Sequence, residues 1–305
     1  MQDLLTTAEL TPAGFADLME LTARFAEDPV RDPDLLRNRL VGLHFTNPST
    51  RTRVSTEAAV VRLGGTTTTL SPNDLQLGRG ETIEDTARVL SGYLAALVIR
   101  TSSDTELARF AAAATIPVIN ACTDGHHPLQ SLTDLFTLRQ LFPDPRGRRI
   151  AYVGAGTNVA VSLAQAAALS EVDIALATPE AYPPDADGIR AAERIAASQG
   201  TAVVRTGDPA EAVRGASAVY TDVWLSMGDP PEEAAARRAA LTPYRVDDAL
   251  LGLALPEAVF LHCLPAHRGE EVTAEVIDGP RSVVFRQAAN RQPVAQAVLH
   301  HLLSA

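Results

Sequence analysis

Apolar and polar positions along the chain follow two alternating periods. Short apolar runs recur at 41–45, 66–70, 96–100, 116–120, 149–153, 172–177, 201–205, 216–221 and 259–263. Each has the length of a buried or β-branched strand. Between them lie stretches with apolar residues three or four apart, at 11–27, 49–63, 104–114, 158–169 and 186–199, which predict helices. Thr11 with Pro12, and Thr82, are start signals, and Gly64-Gly65 is a stop. Shorter helices are predicted from Thr82 to about residue 90, up to about residue 141, and near 209–214. The last is amphipathic, at 290–303. Strand and helix alternating in this way predict an α/β fold of parallel sheets covered on both faces. Pro143-Asp144-Pro145-Arg146-Gly147 is the clearest break, giving domains at 1–142 and 143–288. The pattern is that of two doubly wound parallel-sheet domains, whose ligands bind beyond the C-terminal ends of the strands.

Chemistry-bearing residues collect at those ends. After strand 41–45 comes Thr46-Asn47-Pro48-Ser49-Thr50-Arg51-Thr52-Arg53, entering a helix with Ser49 as its N-cap. A helix N-terminus with hydroxyls and two guanidinium forks suits a phosphate, although a plain cap with two solvated arginines fits equally. Arg100 ends another strand. His126-His127-Pro128-Leu129-Gln130 precedes a helix. Adjacent histidines do not share a helix face, and no acid or cysteine has ligand spacing, so a polar ligand is expected here rather than a metal. A histidine satisfied within a turn fits this motif as well. Gly154-Ala155-Gly156 invites a dinucleotide-binding reading, but Val159 stands at the third glycine position. A tight strand-to-helix turn accounts for it better. Asp222-Val223-Trp224-Leu225-Ser226-Met227-Gly228 follows a strand, and Asp222 can serve a substrate ammonium or a cap. His262-Cys263-Leu264-Pro265 ends the last strand, and Asn290-Arg291 opens the terminal helix.

The chain has 305 residues, 46% of them hydrophobic, and a net charge of −11. Such acidity argues against general nucleic-acid binding, so a phosphate site must be local. No apolar run is long enough to span a membrane and the N-terminus lacks signal-peptide features, so a cytoplasmic protein without a membrane partner is expected. Two cysteines, Cys122 and Cys263, make no disulfide framework. All 26 basic residues are arginine, which excludes a lysine nucleophile.

Taken together these motifs resemble the aspartate/ornithine carbamoyltransferase family, and within it the ornithine branch. Ser49-Thr50-Arg51-Thr52-Arg53 is similar to the family's carbamoyl phosphate motif, and His127-Pro128-Leu129-Gln130 to its second motif. The Asp222–Gly228 and His262–Pro265 stretches are similar to motifs of the ornithine branch. Gln76-Leu77-Gly78 with Glu81 is similar to a loop that reaches into a neighbouring subunit's site. The resemblance implies a carbamoyl phosphate domain at 1–142, an ornithine domain at 143–288, and a helix at 289–305 returning to the first. It implies closure of the domains on each other and a homotrimer or multiple of trimers. The implied reaction carries the carbamoyl group from carbamoyl phosphate to the side-chain amine of L-ornithine, with no metal or cofactor. Ser49, Thr50, Arg51 and Thr52 would hold the phosphate. Arg100, His127 and Gln130 would hold the carbamoyl end, with Arg291 nearby and Gln76 from the adjacent protomer. Asn158, Asp222, Ser226 and Met227 would hold ornithine, with Cys263 and Leu264 near the reacting amine. Arg100, His127, Asp222 and Cys263 carry the implied catalytic roles.

Several positions depart from the ornithine pattern. Thr46-Asn47 replaces an acid–lysine pair, Thr56 a phenylalanine, and Ala155 and Thr157 an acid and an asparagine. Arg286-Gln287-Ala288-Ala289 and Gln292-Pro293 also depart. These positions bear on the second substrate, and a paralogue carbamoylating another amine or diamino acid is the alternative. A binding-only homologue predicts loss of a core ligand, and none is lost. A nicotinamide-dependent dehydrogenase rests on Gly154-Ala155-Gly156 alone.

Overall fold

The structure, a computed structural model, describes residues 2–73, 75–225 and 230–304. Ser226 and Met227 therefore lie outside the described residues. The chain forms two compact units, 1–136 with 289–305, and 137–288.

The first unit carries a four-stranded, all-parallel sheet in the order β2-β1-β3-β4, with β1 Leu40–Phe45, β2 Thr66–Leu70, β3 Ala96–Arg100 and β4 Val118–Cys122. Its helices are α1 Pro12–Glu27, α2 Thr50–Arg62, α3 Ile83–Ser91 and α4 Asp104–Ala113. In α1, Thr11 caps the N–H of Gly14, the start that Thr11-Pro12 foretells. The inner strands β1 and β3 are buried nearly throughout, as expected of a sheet covered on both faces. The edge strand β2, a run of threonines, is half exposed. Strand β4 begins two residues later than the apolar run suggests, because Pro117 has no N–H for the ladder and contributes only its carbonyl, to Leu97.

Helix α5, Pro128–Leu141, crosses the division between the units, ahead of the Pro143–Gly147 break. The second unit has a five-stranded parallel sheet, β7-β6-β5-β8-β9, with β5 Arg149–Val153, β6 Asp173–Ala177, β7 Val203–Thr206, β8 Ala218–Thr221 and β9 Val259–His262. Its helices are α6 Asn158–Leu169, α7 Ala186–Gln199, α8 Pro209–Val213, α9 Ala234–Leu241, α10 Asp248–Leu251 and α11 Ala274–Ile277. Helix α6 is buried along its length, which its alanine-rich sequence permits. The terminal helix α12, Val284–Leu303, starts before residue 290 and contains Pro293. Its first turns belong to the second unit, where Val284 and Gln287 are buried and Gln287 bonds the His262 N–H and Tyr220 Oη.

In both sheets the strand order reverses at one place. The first reverses between β1 and β3, the second between β5 and β8. The carboxyl ends of such strand pairs form a natural crevice for ligands.

Candidate active-site residues

At the first reversal, Phe45 and Arg100 are register partners at the ends of β1 and β3. Thr46 donates from its N–H and hydroxyl to the Arg100 carbonyl, at 2.9 and 3.1 Å, which fixes the start of the 46–49 turn. Ser49 then caps α2 with extended backbone, but its hydroxyl caps no N–H of the helix. The opening N–H groups of a helix have no partner within it, and the dipole there favours an anion. Arg51 and Thr52 sit in this first turn. Arg53 does not join them: it is exposed and faces Glu57 at 3.8 Å on the flank of α2.

Thr52 is buried, and its Oγ accepts from Arg291 Nη2 at 2.8 Å. The other arm of Arg291 donates to Gln130 Oε1, and Gln130 Nε2 donates to Asp134 Oδ1 at 2.7 Å. Gln130 therefore holds Arg291, and one of its own amide protons is engaged by Asp134. Gln130 and Asp134 stand four apart on α5, a spacing that places them on one face. His127 is buried just before α5. Burial first, then the charges of Arg291, Arg100 and Arg51, hold its pKa well below the 6.5 of a free imidazole. It is a neutral ring among three guanidinium groups, able to donate at one nitrogen and accept at the other.

The turn before His127 is tied to the head of α4. Thr123 Oγ and the Gly125 N–H both donate to the Asp104 carboxylate. A Cβ at Gly125 would stand 2.6 Å from Asp104 Oδ2, so the glycine is what lets the two approach. Gln76 lies apart on the 71–81 loop, exposed and without a side-chain hydrogen bond among the described residues.

At the second reversal, Gly154 has φ +137° and Gly156 lies against the Pro183-Pro184 backbone. A Cβ on Gly156 would come within 2.0 Å of Pro184 N. Both glycines are thus explained by the turn itself. Thr157 and Asn158 follow at the start of α6. Thr157 Oγ donates to Asp222 Oδ2 at 3.1 Å. Asp222, buried just beyond β8, also accepts at Oδ1 from the Val223 N–H at 2.8 Å and from Cys263 Sγ at 2.9 Å. Tyr152, on β5, reaches the same group through Thr157. Burial and the nearby Asp222 push its phenol well above 10.

Cys263 is held by a support that the motif alone does not reveal. Leu264 takes φ +58°, and its N–H donates to His262 Nδ1 at 2.8 Å. With Nδ1 accepting, the ring's N–H is on Nε2, which faces the buried Glu271 Oε1 at 3.3 Å. Asp134 and Asp104 support the cluster of the first unit, and Glu271 and Gln287 that of the second, and the sequence assigned none of them a site role. Only the i, i+4 spacing of Gln130 and Asp134 gives a signal. Two groups of donors are close enough to consider a metal: Asp222, His262 and Cys263, and His267, Glu270 and Glu271. In the first, both ring nitrogens of His262 are already directed at Leu264 and Glu271. In the second, Glu270 pairs with Arg238 and Glu271 is turned to His262.

Two all-parallel α/β units, each gathering polar side chains at its reversal point, define the class of protein. Profiles of the aspartate/ornithine carbamoyltransferase family match both: the carbamoyl-P binding domain over residues 2–140 and the Asp/Orn binding domain over 146–302. The chain is 48% identical to the ornithine carbamoyltransferase of Acidothermus cellulolyticus, over all of this chain and 97% of the relative. It is 44% identical to that of Bacillus subtilis, over 99% of this chain and 94% of the relative. The solved structure of the ornithine carbamoyltransferase from Pyrococcus furiosus superposes with a TM-score of 0.95 at 42% identity, over all of this chain and 97% of the other. That of Gloeobacter violaceus gives 0.90 at 42% identity, over 99% of each chain. The chain belongs to the aspartate/ornithine carbamoyltransferase family and is a carbamoyltransferase. Among its described residues no helix is long and apolar enough to cross a membrane.

Proposed function

We propose that the protein transfers the carbamoyl group of carbamoyl phosphate to the side-chain amine of L-ornithine, giving L-citrulline and phosphate. The observation that carries this reading is His127, buried and close enough to Arg291, Arg100 and Arg51 to feel their charge, beside the start of α2, where the Ser49 hydroxyl caps no N–H. The name shared by the matched relatives favours ornithine over another amine.

In this reading Ser49, Thr50, Arg51 and Thr52 hold the phosphate. Arg100, His127 and Gln130 hold the carbamoyl end, with Arg291 behind them. Asn158, Asp222, Ser226 and Met227 hold the amino-acid end of ornithine, and Cys263 and Leu264 lie near its reacting amine. The amine nitrogen attacks the carbamoyl carbon, the bond from that carbon to the phosphate oxygen breaks, and the departing phosphate takes the proton the amine loses. Negative charge grows on the carbonyl oxygen and then on the phosphate. Fixed positive donors around both stabilise that change. Holding both substrates in place contributes the rest.

The assembly proposed with it is a homotrimer or a multiple of trimers, in the cytoplasm, with Gln76 entering a neighbouring protomer's site. The exposed position of Gln76 on its loop supports this. Sedimentation should give a mass of at least three 32.3 kDa chains. The function itself is tested by incubating the protein with carbamoyl phosphate and ornithine and identifying products by mass. Citrulline and phosphate in equal amounts are expected; hydrolysis of carbamoyl phosphate without citrulline would refute the reading.

A further inference from the structure

The hydroxyl of Thr157 is in an unusual place for its position. Threonine at a helix N-cap normally turns its oxygen back to accept an N–H of the first turn. Thr157 caps α6 with extended backbone, φ −84° and ψ 176°, yet makes no such bond. Its proton goes instead to Asp222 Oδ2 at 3.1 Å, and its oxygen lies 3.2 Å from Tyr152 Oη. Tyr152 is fully buried and donates to the Ala155 carbonyl at 2.7 Å. The tyrosine is therefore fixed by the turn and backs the threonine, while the threonine backs the acid.

A carboxylate offers about four acceptor positions. Among the described residues three are taken at Asp222: Val223 N–H and Cys263 Sγ at Oδ1, and Thr157 at Oδ2. One position on Oδ2 remains. We propose that Thr157 is a positioning residue, holding the Asp222 carboxylate so that this remaining position receives one N–H of the amino-acid substrate's ammonium group. Thr157, with Ala155, stands where the resemblance to the ornithine branch implies an asparagine and an acid. This role rests on the function proposed above.

The test compares Thr157→Val, which keeps the shape and removes the donor, with Thr157→Ser, which keeps the donor. Because the hydroxyl caps nothing, the valine variant loses no helix cap. A hydrogen bond to a charged group corresponds to about a 10- to 100-fold effect. The ornithine KM should rise by that factor in Thr157→Val, the carbamoyl phosphate KM should stay within about twofold, and Thr157→Ser should recover most of the loss. A second readout needs no turnover: the pH dependence of Cys263 alkylation by iodoacetamide, followed on its own peptide. Without the Thr157 donor, Asp222 accepts more strongly from the Cys263 thiol, so alkylation should require higher pH in Thr157→Val and return toward the original profile in Thr157→Ser. An ornithine KM within twofold of the parent in Thr157→Val would overturn the proposal, as would a rise in both KM values that serine does not rescue. If the unaltered protein makes no citrulline, the proposed function fails and the alkylation profile decides Thr157 alone: an unmoved profile overturns its role.

Discussion

At the reversal point of the first sheet the gathered side chains are cationic: Arg51, Arg100 and Arg291 surround an imidazole that their charge and burial keep neutral. At the reversal point of the second they are hydroxyls, a thiol and a carboxylate: Thr157 and Cys263 donate to Asp222, and the Tyr152 hydroxyl lies against Thr157. The topology is the same and the chemistry opposite. One end is built to meet negative charge with fixed positive charge, which is strong and tolerant of small displacements. The other places a single acceptor by short-range hydrogen bonds, which depends on geometry. Charge therefore belongs to affinity for the carbamoyl donor, and hydrogen-bond geometry to the choice of amine.

The contrast is broken most severely by Arg51→Ala. Removing one such donor should lower kcat/KM for carbamoyl phosphate by about a thousandfold. Initial rates should show the ornithine KM nearly unchanged; an equal effect on both substrates would erase the proposed division. Arg291→Met comes next. It leaves Thr52 Oγ and Gln130 Oε1 without their buried donor, at a cost of about 1–3 kcal/mol for each group left unsatisfied. Thermal unfolding should fall accordingly, and carbamoyl phosphate titration should weaken.

Gly156→Ala acts on the other side. The added Cβ meets the Pro184 backbone, and overpacking of this kind costs about 1–3 kcal/mol. Binding of carbamoyl phosphate, measured calorimetrically, should survive while the ornithine KM rises. A smaller effect concerns pH. His127 titrates well below 6.5 in the folded chain, whereas the unfolded chain takes up its proton near 6.5. The unfolded state thus binds more protons as pH falls below that value, and the stability contributed by the neutral ring, complete above 6.5, is lost progressively on acidification. Carbamoyl phosphate affinity should show no histidine-type step near pH 6.5; a step there would mean the ring is charged. Arg53→Ala should change neither substrate's KM, nor stability by more than about 0.5 kcal/mol, since its partner is an exposed Glu57.

The gathering of Arg51 and Thr52 at the start of α2 was legible in the sequence because its signals are local. A strand, a serine cap and arginines in one turn occupy consecutive positions, and their meaning follows from helix ends. Arg53 misleads for the same reason: the run does not say which guanidinium turns inward. The cluster at the second reversal was legible only as motifs. Asp222 and Cys263 are visible as residues at strand ends, but the bonds from Thr157 and Cys263 to Asp222 depend on β5, β8 and β9 lying side by side. Gln287 is hidden likewise, since it supports His262 from 25 residues further along the chain, and Glu271 follows soon after His262 but beyond the end of β9. The early start of α12 was missed because Gln287-Ala288-Ala289 looks polar and featureless until Gln287 is seen bonded to β8 and β9.

The central claim is that the second unit selects ornithine while the first holds carbamoyl phosphate. It is tested most directly by kcat/KM of the unaltered protein for ornithine against acetylornithine, putrescine, lysine and aspartate at saturating carbamoyl phosphate. The account predicts ornithine ahead by at least about a hundredfold, as expected when polar groups of a site are left unpaired by the wrong substrate. Another amine ahead of ornithine would contradict it, and would move the selectivity onto Thr56, Ala155 and Thr157.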